Sequence, residues 1–295
     1  MTMQSQSADT LARRQAWRRA ARIFFSRGIV VQICCVILAT FFLAAALADV
    51  IAPFNPDAQD IVGALRLPNA EHLLGQDNLG RDILSRIIYG GRVSLSVSVL
   101  AGLIAAVIGI SLGMLSGFYG GRLGQAIISF TDVLLSIPNL VLSLVLVAIM
   151  GGGLVSVVLA IGLGMVPTYI RMMNGLVLSL RENDYVMAAR LIGQNEWSIL
   201  LRHLLPNSFP TLVVLFTINL GNGVLTESTL SYLGVGIAPP TASWGSMVSD
   251  IYPYLLSAPW LVIAPSACII LIIISFNVVG DGLRDAFDPR LRGKL

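Results

Sequence analysis

Long apolar runs separated by short polar segments dominate this sequence. Six runs reach the length of about 20 residues that a helix needs to cross a bilayer core about 30 Å thick. They cover residues 29–50, 93–117, 127–150, 154–173, 211–232 and 260–279. Because backbone polar groups find no water in lipid, a chain crossing the bilayer in such runs forms helices. The pattern predicts an all-α membrane protein with six transmembrane helices.

The first run follows a basic segment and could also be interpreted as a secretory signal sequence. Arginines are frequent before it, and Ala46, Leu47 and Ala48 resemble a signal-peptidase site. Cleaved signals have apolar cores of roughly 7–15 residues, whereas residues 29–48 are 20 positions without a charge. We therefore expect this run to be retained as the first transmembrane helix.

Composition and the placement of charge orient the predicted bundle. The chain has 295 residues, of which 56% are hydrophobic and 12% charged, against about 25% charged in an average soluble domain. Six crossings place both termini on one side, and 15 of the 19 basic residues fall on that side. Since basic residues accumulate in cytoplasmic segments, both termini are predicted to be cytoplasmic.

This topology divides the chain into segments of different character. A basic cytoplasmic segment at 1–28 precedes the first span, and an external loop follows at 51–92. A core of five spans occupies 93–282, with a cytoplasmic loop at about 181–207, and 283–295 form a cytoplasmic tail. We expect the loops to carry the contacts with other proteins.

Glycine and proline mark where spans are expected to pack closely or to bend. Gly109, Gly113 and Gly117 recur at every fourth position and form one smooth face, which allows another helix backbone to approach. Pro138 and two later prolines within spans each remove a backbone hydrogen bond and permit a local bend.

The loop at 181–207 predicts two short helices joined by a glycine turn. Asp184 is a suitable N-cap for the first helix, and Gly193 is a suitable residue for its end. Asn195 can cap the second helix, which we expect to end at Pro206. A compact, partly apolar helix pair outside the membrane is typical of a segment that docks in a groove of another protein.

The same loop resembles a motif of a known transporter family. Ala188 and Ala189, then Gly193, then Leu205 and Pro206 resemble the EAA loop of binding-protein-dependent ABC importer permeases. In that family the loop forms the coupling helix that docks on the ATPase. The resemblance therefore implies an ATPase-coupling role for these five residues.

Further positions indicate the branch of this family. Met187 stands where the motif has glutamate and His203 where isoleucine is usual, and the peptide-importer branch tolerates both. Residues 72–86, 231–245 and 280–289 resemble stretches of the dipeptide/oligopeptide/nickel permeases, and the first of them resembles the C-type partner of the permease pair. The resemblance implies the type I ABC importer (MetI-like) permease fold.

The resemblance also implies partners. The sequence contains no phosphate-binding loop of the form Gly-x-x-x-x-Gly-Lys-Ser/Thr, so ATP and Mg are expected on two partner ABC ATPase subunits, and no cofactor on this chain. A homologous permease is expected to complete the pathway as a heterodimer, and an extracytoplasmic solute-binding protein to deliver cargo. The chain is then a non-catalytic, multi-pass subunit of the bacterial inner membrane, with lipid around it and no nucleic-acid partner.

The cargo implied is a peptide or a related small solute. Dipeptides, longer peptides, glutathione-like molecules, nickel chelates and opines all stay open, because selectivity rests largely with the binding protein in such systems.

Two acidic residues inside the spans are candidates for function. A carboxylate at the bilayer centre costs about 2.5–3.5 kcal/mol on insertion scales, so Asp132 and Glu227 are expected to face protein or water. Both are candidates for pathway lining or gating, with a buried structural hydrogen bond as the alternative. Trp244 and Trp260 are expected to anchor the membrane interface. The cysteines and histidines show no metal-ligand spacing, so no metal or catalytic site is predicted.

Two other function classes compete with this interpretation. A secondary transporter driven by an ion gradient would need no ATPase and is expected to carry ion-coupling carboxylates near the bilayer midplane. Neither Asp132 nor Glu227 is clearly central in its span. A membrane-embedded enzyme would need a paired acid and base or a metal constellation, which the sequence pattern does not predict.

Overall fold

The computed structural model describes Phe24 and residues 28–287. Within these residues every regular element is a helix, apart from one isolated bridge between Gln76 and Asp82. The main helices are α1 (Ile29–Ala46), α2 (Ile83–Tyr119), α3 (Gly121–Leu135), α4 (Asn139–Met150), α5 (Gly153–Leu180), α6 (Asp184–Leu191), α7 (Glu196–Ile199), α8 (Leu205–Tyr232), α9 (Trp244–Ile251) and α10 (Trp260–Phe287). Short helical turns lie at Ala48–Ile51, Ile61–Gly63 and Tyr252–Tyr254. The predicted all-α class is confirmed.

The number of crossings follows from the direction of the helices. Among the residues that the structure describes, five helices are long and apolar enough to span a membrane, and the bent pair α3–α4 adds a sixth crossing if it counts as one span. Gly109 of α2 lies against Val166 of α5, and Gly117 lies against Val177, so α2 and α5 run parallel. The chain must return across the bundle between two parallel helices, and α3 with α4 makes that return.

The other spans alternate in direction. Ser94 of α2 contacts Glu227 of α8 and Ser98 contacts Leu220, so these two helices are antiparallel. Likewise α10 runs antiparallel to α8, and α1 antiparallel to α10. Phe24 and the end of α10 therefore lie on one side of the bundle, here called the terminal side. The loop at 181–207 follows α5 and lies on the same side.

The predicted glycine face of α2 is confirmed as a packing surface. A Cβ atom on Gly113 would lie 2.6 Å from the carbonyl oxygen of Ile170 and 2.8 Å from Cβ of Met173. Only a glycine allows the backbones of α2 and α5 to approach this closely. The contact buries Val97 and Tyr169 completely in the largest apolar cluster of the described residues.

The predicted span at 127–150 is broken into two helices. α3 ends at Leu135, α4 begins at Asn139, and the two axes differ by 91°. Ile137 precedes a proline, where the helical region is disfavoured, and Pro138 itself has an extended ψ of 131°. The proline signal predicted a local bend, and the structure turns the chain through a right angle.

Two helices begin before the predicted apolar spans. α2 begins at Ile83 inside the predicted external loop, because the carboxylate of Asp82 accepts a hydrogen bond from the amide of Ser85 at 2.8 Å and caps the helix. At 37 residues and 1.5 Å per residue, α2 reaches about 55 Å and extends beyond the bilayer core. α8 begins at Leu205, six residues before the predicted span.

Candidate functional site

The loop at 181–207 forms the predicted helix, glycine turn and second helix. Gly193 between α6 and α7 has φ of +74°, a left-handed conformation that glycine adopts without steric cost. Asn195 caps α7 as predicted, since its Oδ1 accepts a hydrogen bond from the amide of Trp197 at 3.0 Å. The N-cap of α6 is Asn183 and not the predicted Asp184, and Asn183 makes no side-chain cap bond.

The second short helix continues directly into a membrane span, so its predicted end at Pro206 is wrong. α7 passes through a π-helical turn at Leu200–Leu204 and enters α8, in which Pro206 is the second residue. A proline donates no hydrogen bond and leaves a preceding carbonyl unpaired. Asn207 Nδ2 donates to the carbonyl of His203 at 2.7 Å and satisfies part of this turn. As a result, Glu196–Tyr232 is one helix of 37 residues.

The inner face of the loop packs on the ends of the spans. Val186 and Ile199 are fully buried and Ala189 nearly so, in a cluster with apolar residues of α2, α5 and α8. Arg181 Nη1 donates to the carbonyl of Gly117, the last glycine of the α2 packing face, at 2.9 Å. Displacement of the loop therefore acts directly on α2 and α5, which pack together.

The structure places the five predicted coupling residues in different environments. Ala188 and Pro206 are exposed, Ala189 is buried and Leu205 is half-buried. Gly193 forms the turn and has open space around its Cα. A docking contact can therefore involve Ala188 directly, whereas Ala189 serves the packing of the loop.

The outer face of the loop is apolar and exposed. We name the residues Ala188, Leu191, Ile192 and Trp197 the coupling face. The side chains of Leu191, Ile192 and Trp197 are 88%, 82% and 53% exposed. Large apolar side chains grouped at this exposure outside the spans are typical of a protein interaction site.

Asp132 pairs with an arginine at the surface of the bundle. Arg171 Nη2 of α5 donates a hydrogen bond to Asp132 Oδ1 of α3. Both side chains are half-exposed or more, at 61% for Arg171 and 51% for Asp132. The Asp132 carboxylate therefore makes its hydrogen bond at the surface of this chain and not in its interior.

Glu227 lies inside the bundle instead. Its side chain is fully buried, and its carboxylate accepts hydrogen bonds from the hydroxyls of Ser94 at 2.7 Å and Ser231 at 2.8 Å. The Ser94 hydroxyl also accepts a hydrogen bond from the amide of Trp244 at 3.3 Å. These contacts join α2, α8 and α9 on the side opposite the termini.

With this geometry in place, the comparison with known families is decisive. The sequence profile of the family described as "Binding-protein-dependent transport system inner membrane component" matches residues 109–293, which is more than half of the chain. The chain belongs to this family. It is a multi-pass permease subunit of an ATP-binding-cassette importer in the bacterial inner membrane, and the alternative of a secondary transporter is excluded at the level of the family.

Similar proteins cover nearly the whole permease. The glutathione transport system permease protein GsiD of Pectobacterium atrosepticum is 38% identical over 95% of this chain and 93% of its own length. The dipeptide transport system permease protein DppC of Haemophilus influenzae is 37% identical over 90% and 92%. The probable D,D-dipeptide transport system permease protein DdpC of Escherichia coli K12 is 38% identical over 88% and 87%. The C-type assignment made from residues 72–86 is confirmed.

A solved structure shows the same fold. A chain from the inward-facing MetNI methionine ABC transporter superposes with a TM-score of 0.58, covers 70% of the permease and is itself covered to 98%. Its sequence identity is 20%, so this similarity concerns the fold alone. The predicted type I importer (MetI-like) fold is confirmed.

The sequence motif at 72–86 builds a buried charge network that was not predicted. Arg81 Nε donates to Asp77 Oδ2 at 2.6 Å, and Arg81 Nη2 donates to Asp250 Oδ2 at 3.0 Å. Arg86 Nε lies 3.5 Å from the same oxygen of Asp77. The side chains of Asp77, Arg81 and Arg86 are only 2–4% exposed. The network fixes the segment before α2 to α9.

Trp244 is part of the core, so its predicted role as an interface anchor is wrong. The indole is fully buried, and its Nε1 donates to the carbonyl of Ile87 at 3.0 Å. The ring lies against Gly90 and Gly91 of α2, where a Cβ atom would come within 3.0–3.4 Å of it. Sequence position near a membrane boundary did not reveal that α9 packs inward.

The histidines also have separate structural contacts. His72 Nδ1 lies 2.9 Å from Asp82 Oδ1, and His203 Nε2 lies 3.0 Å from Gln194 Oε1. Within the described residues no group of three His, Cys, Asp or Glu side chains is placed to hold a metal ion.

Proposed function

We propose that this permease imports a peptide or a related small solute and couples that import to ATP hydrolysis on partner subunits. The observation that carries the proposal is the continuity of the loop with a span. α7, the π-helical turn and α8 form one helix, and Trp197 of the coupling face lies on it, so a push on that face moves α8 as a lever. An alternating-access cycle driven by a subunit bound at the membrane surface requires such a connection between the docking site and a span.

The coupling face is proposed to dock on an ABC ATPase. Leu191, Ile192 and Trp197 present apolar surface on the terminal side, which the distribution of basic residues predicts to be cytoplasmic. ATP and Mg are proposed to bind to two such ATPase subunits, because the permease sequence lacks a phosphate-binding loop of its own. The permease itself then performs no chemistry.

Two further partners complete the proposed complex. Six crossings from one chain make half of a pathway, so a homologous permease is proposed to form the other half as a heterodimer. An extracytoplasmic solute-binding protein is proposed to deliver the cargo. The names of the relatives, which mention dipeptides and glutathione, support a peptide-like cargo.

The two intramembrane acids are proposed to act differently. Asp132, at the surface beside Arg171, is proposed to line the pathway. Glu227 is proposed to influence gating indirectly, because its bonds to Ser94 and Ser231 hold α2 and α8 together at the side opposite the termini.

Replacing Gly193 tests the coupling. A valine there must adopt φ of +74°, a left-handed conformation that costs an L-residue about 1–2 kcal/mol, so the turn will shift and Gly193→Val should hydrolyse ATP with little uptake. The measurement is the ratio of ATP hydrolysed to peptide accumulated in proteoliposomes containing the full complex.

Gly121→Val is the matched control for this test. Gly121 also has a positive φ, of +55°, and open space around it, but it lies at the start of α3 outside the loop. We expect its ATP-to-peptide ratio to stay near the wild-type value. An unchanged ratio in Gly193→Val would contradict the proposed coupling.

A further inference from the structure

The pair Asp132–Arg171 lies on spanning helices and is exposed on this chain. Arg171 is 18 positions after the start of α5 and nine before its end, which places it about 14 Å from the terminal end of the helix. Charged side chains at this depth are expensive in contact with lipid and usually face water or protein. The face that carries this pair is therefore turned away from the lipid.

The exposed residues of α5 form a single stripe beside this pair. In its terminal half Thr168, Arg171, Met172, Gly175, Leu178 and Ser179 are exposed, whereas Ile170, Met173 and Val177 on the other side of the helix are buried. The stripe is narrow and has the periodicity of one helix face. Its polar members are consistent with contact with water along the terminal half of α5.

A cavity opens on this stripe. It has a volume of about 440 Å³ and is lined by Leu135, Thr168, Arg171, Met172, Gly175 and Leu176. Pockets for small molecules measure about 300–1,000 Å³ and combine apolar walls with a few polar groups. The cavity therefore has the size of a small-ligand site and mainly apolar walls, and Arg171 is the one charged residue among those that line it.

The chemistry of Arg171 selects the ligand. A guanidinium offers five N–H donors in a planar fork that matches a carboxylate, and the bond to Asp132 engages one of its nitrogens, Nη2. An incoming carboxylate can share or replace Asp132 on this fork, and the released Asp132 can accept a hydrogen bond from an ammonium group. Because one ion pair is exchanged for another, such binding is weak and reversible, as passage through a pathway requires.

We propose that Arg171, with Asp132 as its resident counter-ion, forms a subsite for the carboxylate of the transported peptide in the terminal half of the pathway. This inference rests on the proposed function. It assigns the cavity to cargo in transit, because a zwitterionic peptide brings both a carboxylate and an ammonium group and can exchange with both members of the Asp132–Arg171 pair.

A cysteine at position 175 reports on the cavity. Gly175 is helical, lines the cavity and has no atom within 4 Å of its would-be Cβ, so a cysteine fits there without a clash. The purified complex with both permeases and the ATPases is placed in lipid nanodiscs, with the native residues Cys34, Cys35 and Cys268 changed to alanine. The rate of maleimide labelling of Gly175→Cys is then measured against the concentration of L-alanyl-L-alanine or of its C-terminal amide, without ATP or binding protein.

The expected result is protection that depends on the carboxylate. L-alanyl-L-alanine should slow the labelling. The concentration of the amide that gives the same protection should be at least about tenfold higher, since hydrogen bonds to charged groups contribute about 1.5–3 kcal/mol. Adding Arg171→Gln should remove this difference. Adding Arg122→Gln, which removes an exposed arginine at the start of α3, should preserve it.

Asp132→Asn distinguishes the subsite from a merely structural ion pair. Removing the counter-ion frees Arg171, so the dipeptide should protect Gly175→Cys from labelling at a lower concentration. If the ion pair were only structural, Arg171→Gln and Asp132→Asn would both weaken this protection. Any one of three results would overturn the proposal: equal protection by the dipeptide and its amide, protection that survives Arg171→Gln, or no protection at all. ATP-driven uptake by the same complex is measured separately, so a failed subsite with intact uptake leaves the proposed function standing, and absent uptake counts against that function.

Discussion

At the scale of single residues, the permease accommodates charge by two different means. Asp132 and Arg171 stay at the surface of the chain, whereas Asp77, Arg81 and Arg86 are buried in a network outside the core of the bundle. Sequence alone indicated the first pair only in part, since Asp132 was predicted to face protein or water without a named partner. It did not indicate the network, because charged residues in a loop are usually solvated.

The reason that the network could not be predicted is its range along the chain. Arg81 and Asp250, which close it, are separated by 169 positions. Their contact exists only because α9 packs against α2 through the buried indole of Trp244. Local patterns contain no information on such a contact.

Asp77→Asn tests the energetic importance of this network. The Asp77 carboxylate accepts from the amides of Leu79 and Arg81 and from the Arg81 side chain, so its loss leaves two buried guanidinium groups without their buried counter-ion and with only the less buried Asp250 between them. Breaking a buried pair from one side costs about 3–5 kcal/mol. We expect a clearly lower midpoint of thermal unfolding in detergent and less permease in the membrane.

Asp49→Asn provides the matched control for that substitution. Asp49 pairs with Arg92 at 2.9 Å, but its side chain is 68% exposed. Exposed pairs contribute little because water and salt screen them, so the unfolding midpoint should hardly move. Equal shifts of the unfolding midpoint in Asp77→Asn and Asp49→Asn would show that the buried network stabilises the permease no more than an exposed ion pair does.

At the scale of elements, hydrophobic pattern located the spans but not all of their ends. The glycine face of α2 was predictable because it depends on spacing within one helix. The right angle between α3 and α4 and the passage of α7 into α8 through Pro206 were not, because both depend on how neighbouring helices compensate for a proline. Asn207, whose side chain donates a hydrogen bond to the carbonyl of His203 beside Pro206, gives no distinctive signal in the sequence.

Two glycine-to-alanine substitutions, one at the α2–α5 contact and one away from it, are expected to change the stability of the permease in opposite directions. Gly113→Ala places a Cβ atom 2.6 Å from a backbone oxygen of α5, and such overpacking costs about 1–3 kcal/mol. Gly175→Ala meets no atom within 4 Å and should gain up to about 1 kcal/mol from helix propensity. Thermal unfolding of the two variants in the same detergent measures both effects, and a stable Gly113→Ala permease would argue against the close packing.

At the scale of the whole molecule, family, fold and membrane location could be predicted from the sequence because four motifs occur in a consistent order along six apolar runs. The structure adds the mechanical connection. The loop on the terminal side is anchored to α2 and α5 by its buried face, and it continues without interruption into α8. A partner that moves the coupling face therefore acts on three spans at once.

The central claim is that the coupling face is held by an ATPase subunit, and photo-crosslinking tests it most directly. The photoreactive residue p-benzoylphenylalanine is placed at Ile192, which is 82% exposed on the terminal side, or at Val62, which is 86% exposed in the segment before α2. In membranes containing the assembled importer, we expect Ile192 to give a covalent adduct with an ATP-hydrolysing subunit and Val62 to give none. An adduct pattern in which Val62 captures the ATPase, or in which Ile192 captures no ATP-hydrolysing protein, would contradict this account.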